Sequence, residues 1–211
     1  MRGLTLWLAF ATLALILGPA PLPAQAGAGD SIVYVLAPVS RFEVRTGTAG
    51  LFGFAGHDHL IRARAFSGRI VYRPNAPSGS RVDLAVLTDS LEVLTPPDTE
   101  EIRKVTASMR HDVLDVTHYP EIRFASTTVT PGPQGFEIRG TLTMHGQAHV
   151  VDVSVHTALH ADTLTARGTF TVKQTDYGIR PYRVGPGGVV KVADRIQFDF
   201  EAIAVRAPDA R

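Results

Sequence analysis

Two runs decide the fold: YPEIRFASTTVT at residues 119–130 and, after a Pro/Gly turn, GFEIRGTLTMHGQAHVVDVSV at residues 135–155. Both alternate apolar and polar residues. This period of two is the signature of half-buried antiparallel strands. Ile122 and Phe124 share one phase, as do Phe136, Ile138 and Leu142, and then Val151, Val153 and Val155. Gly146 and Gln147 make a tight corner between the second and third strands.

The same pattern continues on both sides. Residues Val33–Thr48 open the domain with Val33, Val35, Phe42 and Val44 as apolar beats. His59–Arg73 reads as one long strand with a bulge or bend at Gly68, and Arg81–Leu87 as another. After residue 120 the strands are about Glu121–Thr130, Gly135–His145, Ala148–His160 and Thr163–Lys173, and Val189–Val205 closes the chain. Thr95–Thr117 breaks the alternation. Asp98 or Thr99 caps a helix there, Glu100 and Glu101 sit in its first turn, and Ile102, Val105 and Met109 form a narrow apolar stripe. A second short turn is expected over Asp112–Val116. The whole predicts an all-β antiparallel barrel of about eight strands, with one short amphipathic helix between strands.

Composition narrows the function. Met1-Arg2, the apolar run Leu4–Leu17, the prolines at 19, 21 and 23 and the small-residue site Ala24-Gln25-Ala26 read as a secretory signal peptide over residues 1–26. The apolar run is short for a membrane span, which needs ~20 residues. Removing residues 1–26 from the 211 leaves 185, enough for one domain over residues 31–206. The expected location is the periplasm or the exterior, with no stable membrane span after cleavage. The absence of Cys excludes a thiol nucleophile, thiolate metal sites and a lipoprotein anchor. With Arg2 removed, 20 of the 21 basic residues remain against 20 acidic ones, so no global field favours nucleic acid.

Tyr119–Phe124 and Gly140–Gly146 resemble the YceI-like family, whose members share a Y-P-x-x-x-F strand followed by a G-x-L-T-x-H-G strand and turn. Tyr177-Gly178-Ile179 before the last strand is similar to the family's Y/F-G-I turn, and Gly56-His57-Asp58-His59 looks like a G-H-x-H pattern found in part of it. The resemblance implies a lipocalin-like barrel with the same helical interruption. It also implies a long apolar ligand inside: a polyisoprenoid, an isoprenoid quinone or a fatty acyl compound.

The inward phases supply the candidate lining: Ile122, Phe124, Phe136, Ile138, Leu142, Val151, Val153, Phe170, Phe198 and Phe200. Such residues either fill a solid core or wall a tunnel, and the resemblance implies a tunnel. His57 and His59 share a strand face with Ile61, Ala63 and Ala65, which places both at a barrel mouth, and His145 sits at a strand end, at the same or the opposite mouth. Tyr177, Arg180, Tyr182 and Arg183 supply donors suited to a phosphate or carboxylate head group at the rim. His156 and His160 are expected to face solvent. The glycines at 185, 187 and 188 precede a strand and not a helix, so they are no phosphate cradle.

No catalytic constellation is present: there is no G-x-S-x-G, no H-E-x-x-H and no P-loop. The leading expectation is a non-enzymatic carrier that needs no cofactor, with an amphiphilic small molecule as its partner and a bound isoprenoid or acyl lipid. A second reading is a metal-binding protein using His57, His59 and His145. A third is a solid-core interaction protein, in which Leu51, Phe52 and Phe54 form an apolar patch, a lid or a homodimer contact.

Overall fold

The computed structural model describes residues 31–49, 58–95, 99–184 and 190–208. The strands are β1 (Ile32–Leu36), β2 (Arg41–Ala49), β3 (His59–Ala63), β4 (Phe66–Tyr72), β5 (Arg81–Leu87), β6 (Leu91–Val93), β7 (Glu121–Gly132), β8 (Gly135–Met144), β9 (Gln147–His160), β10 (Thr163–Lys173), β11 (Arg183–Val184) and β12 (Val190–Arg206). Every pairing is antiparallel.

Eleven of these segments form eight staves, because three staves are each broken in two; the two-residue β11 pairs with the start of β12. β1 and β2 lie end to end along one edge of β12, β3 and β4 pair with them, and β5 and β6 pair with those. From β5 the ladder runs through β7, β8, β9 and β10 to β12. The β1–β12 pairing, Tyr34 to Arg206 and Leu36 to Ala204, closes the barrel. Closure removes the exposed edges that an open sheet would present.

Two of the breaks have visible causes. Between β1 and β2 the Ser40 hydroxyl donates to the Ile203 carbonyl at 3.0 Å and accepts from the Ile203 amide at 2.9 Å, replacing ladder bonds at the bend. The expected single strand His59–Arg73 is interrupted at Arg64–Ala65, where the Ala65 amide donates to the Ser90 hydroxyl at 2.9 Å. Gly68 is not the break. It lies inside β4, where a Cβ would stand 2.6 Å from Leu36 Cδ1 and 3.1 Å from the Asp83 carbonyl. The residue is small because the barrel is tight there.

Helix α1 (Thr99–Ser108) carries Glu100 and Glu101 in its first turn, as the helix dipole favours. It runs directly into a π-type turn at Met109–Val113, so the expected separate turn over Asp112–Val116 is instead a continuation. Met109 is buried, and it packs with Val105 against Ala63, Val86, Leu91 and Val93. Among the described residues β6 pairs only with β3. The helix supplies its other edge: Arg110 donates two bonds to the Leu91 carbonyl at 3.1 and 2.9 Å, and the Val93 amide donates to Thr106 Oγ1 at 3.3 Å.

One phase expectation is reversed. Val33 and Val35 were the apolar beats of the first strand, yet Val35 is 43% exposed while Tyr34 is 2% exposed. The inward residues of β1 are Tyr34 and Leu36. In Ile-Val-Tyr-Val-Leu every residue is apolar or aromatic, so alternation alone cannot choose the face.

Candidate functional site

The inward phases of the staves enclose a cavity of about 300 Å³, at the small end of ligand-binding volumes. Its walls are almost wholly apolar. Of the sequence candidates, Ile122, Phe124, Phe136, Ile138, Leu142, Val153, Phe170, Phe198 and Phe200 all line it. Val151 does not. It packs against the cluster of Leu142, Met144, Val172, Tyr177, Ile179 and Ile196 at one end of the barrel, beside a shallow recess between β9 and β10.

Strand direction separates the two ends. At one end lie the start of β12, the ends of β2 and β10 and the β8–β9 corner. This end is closed. Met109, Val113 and Leu114 from the helical segment form part of its floor, and Ile179 from the loop after β10 forms another part. That loop begins as a single 3-10 turn, Gln174–Tyr177. Gln174 Nε2 donates to the Ala193 carbonyl at 2.8 Å, and the Thr175 amide and hydroxyl donate to the Asp194 carboxylate at 2.9 and 2.8 Å. Gly178 then takes a left-handed φ of +70°, which turns Ile179 back into the barrel. Burial pushes the Asp194 carboxyl up, but the two Thr175 bonds, with the nearby Lys173 charge, hold it below the usual carboxylate range.

The other end is open among the described residues. It carries the turns Gly132–Gly135 and Ala161–Asp162 and the ends of β4 and β12. Leu159 belongs to the inward phase and lines the cavity, yet it is 54% exposed. It marks the rim.

The polar residues expected at a mouth are therefore at the closed end. His59 is in phase with Ile61 and Ala63 and pairs with Thr46, and its Nδ1 lies 2.8 Å from the Thr95 carbonyl. His145 takes a φ of +50° at the corner and its ring lies 4.1 Å from that of Tyr119. Tyr177 corrects the sequence reading most clearly. It is no rim donor but is 1% exposed inside the plug, and its hydroxyl has no hydrogen-bond partner among the described residues. Burial, with the nearby Asp176 charge, pushes its pKa up to about 12. Arg180, Tyr182 and Arg183 are exposed on the outer surface and line no part of the cavity.

His57 lies outside the described residues, as do Leu51, Phe52, Phe54 and residues 1–26. Among the described residues no three His, Asp or Glu side chains come together as a metal site would require. His156 and His160 are exposed. The cavity-lining residues missed in the sequence include Tyr34, Leu36 and Tyr72 from the first staves and Ile179 from the plug.

Comparison with known proteins agrees with this geometry. No curated protein matches the chain closely enough to count as a relative. Among solved structures, BcnA of Burkholderia cenocepacia has a TM-score of 0.65 at 19% identity, covering 81% of this chain and 99% of that one. The YceI protein of Campylobacter jejuni has a TM-score of 0.53 at 13% identity, covering 71% of this chain and 85% of its own. Identities this low establish a shared fold and nothing finer. The YceI-like domain pattern itself matches residues 40–204, and so this chain belongs to the YceI-like family.

Proposed function

We propose that this protein binds a long apolar molecule inside its barrel and carries or sequesters it outside the cytoplasm. The observation that supports this most is the cavity of about 300 Å³, with apolar walls, a plugged end and an open end. A solid-core protein would fill that volume, because an empty apolar cavity destabilises the fold. A ligand restores the lost contacts and gains about 25 cal/mol for each Å² of its apolar surface withdrawn from water.

The ligand class is a polyisoprenoid, an isoprenoid quinone or a fatty acyl compound, each a chain slim enough for a barrel of eight staves. The signal-like residues 1–26 favour the periplasm or the exterior, where such a molecule needs shielding. The reading involves no turnover and no cofactor. The test is displacement of a fluorescent fatty-acyl probe, with the purified protein titrated against prenyl alcohols and acyl chains of graded length. Saturable binding that strengthens with chain length supports a carrier. Failure of every apolar probe to bind rejects it.

A further inference from the structure

We propose that the open half of the cavity is a head-group site for an uncharged, hydrogen-bonding end of the ligand, formed by Tyr34 and Tyr72. The assignment rests on the carrier reading and names the ligand chemistry more finely.

Tyr34 of β1 and Tyr72 of β4 stand on adjacent staves in the inward phase: Tyr34 pairs with Ile70, and Ile32 with Tyr72. Both line the cavity. Tyr34 is 2% exposed, so nearly all of its ring is in the core. Neither hydroxyl forms a hydrogen bond to any described residue. Unlike the hydroxyl of Tyr177, that of Tyr34 is not sealed by protein atoms. An interior phenol without a partner is costly, and phenylalanine would fill the same volume without that cost. Thr157, also inward and on the cavity wall, adds a third hydroxyl to this half.

Charge decides what the site accepts. The charged residues bordering the cavity are Glu43, Arg69, Asp83 and Asp199, and each sits in the outward phase between two inward neighbours. Arg69 and Asp83 are exposed, and Glu43 is bound by Arg62. Among the described residues no inward cation meets a phosphate or carboxylate here, and an unpaired anion in apolar surroundings is strongly disfavoured. Two tyrosine hydroxyls suit a carbonyl or hydroxyl oxygen: an amide, an ester, an alcohol or a quinone. The chain of such a ligand then runs toward Phe170 and the plug, and its head stays near the rim. This reverses the expectation that Arg180 and Arg183 hold an anionic head group.

The test compares three probes of equal chain length, oleamide, oleate and 1-octadecene, each below its aggregation threshold at pH 8. They are titrated into wild type, Tyr34→Phe, Tyr72→Phe and the double variant. At about one neutral hydrogen bond per hydroxyl, the wild type should prefer oleamide to octadecene by roughly 5- to 30-fold. It should bind oleate more weakly than oleamide. Each single variant should lose about 5-fold of the amide preference. The double variant should lose all of it while keeping its octadecene affinity, which also shows that it is folded. Oleate bound as tightly as oleamide overturns the proposal, and so does an amide preference that survives in the double variant. If the wild type binds all three equally, the proposal fails and the carrier reading stands. If it binds none, both fail.

Discussion

Phe170 of β10 and Phe198 of β12 are direct cross-strand partners, and their rings stack inside the barrel with centroids 4.8 Å apart and planes 3° from parallel. Both border the cavity. The pair therefore serves packing and ligand contact together. Phe170→Ala should destabilise the protein by about 3 kcal/mol, at the low end for a buried Phe because one face of the ring already meets open space. Affinity for an apolar probe should fall as well. Chemical denaturation and probe titration read the two effects. A loss of stability with unchanged probe affinity would remove Phe170 from the binding surface.

Glu43 and Arg62 form the best-buried ion pair among the described residues. The Glu43 side chain is 3% exposed, and Arg62 Nε and an η nitrogen donate to its Oε1 at 2.8 and 2.5 Å. Breaking such a pair leaves a buried charge alone. Arg62→Met should therefore cost about 3 kcal/mol, whereas replacing both partners by apolar residues should cost much less. A double-mutant cycle in urea gives the coupling. Additive effects would contradict the pairing.

Tyr177 makes a pH prediction. Its folded pKa of about 12 lies above the usual tyrosine value of 10.0, so the folded state keeps its proton longer than the unfolded chain does. The contribution is complete below pH ~10 and is lost as pH rises from ~10 to ~12, because only the unfolded state ionises readily in that window. A shift of this size corresponds to a few kcal/mol. Tyr177→Phe should lose less stability than wild type across that window, as measured by urea midpoints at pH 9, 10 and 11. It should also match or exceed wild-type stability at pH 7, since it deletes a buried hydroxyl without a partner. Parallel pH profiles for the two proteins would contradict this account.

The two ends of the barrel should respond differently. Leu159→Asp places a charge on the open rim, where a 54%-exposed position tolerates it with a stability change of about 0.5 kcal/mol or less. Probe uptake should slow by several-fold in stopped-flow mixing. Arg180→Ala, at the closed end, should leave uptake unchanged. The opposite pattern would place the opening at the plug.

The barrel was legible in the sequence where one strand face is clearly polar. β7 to β10 and β12 alternate cleanly, and their inward residues follow from the pattern. β1 was not legible in the same way. Its apolar residues occupy both phases, and the choice of Tyr34 over Val35 depends on pairing with β4 and β12, which is long-range. The closed end escaped for a similar reason. Tyr177 and Ile179 sit in a polar, glycine-containing loop that reads as solvated, and only Gly178 with the Gln174–Ala193 bond folds them inward. The rim expected at Arg180 and Arg183 followed from residue type without knowledge of which end the strand leaves from. His59 was placed in the right phase but at the plugged end.

The measurement that tests the central claim most directly is native mass spectrometry of the protein purified from its own cell envelope, under conditions that keep noncovalent adducts. The account predicts a discrete adduct that organic solvent releases as a prenyl or acyl chain with an uncharged polar end. A bare protein mass, from material that also takes up no apolar probe in solution, would contradict it.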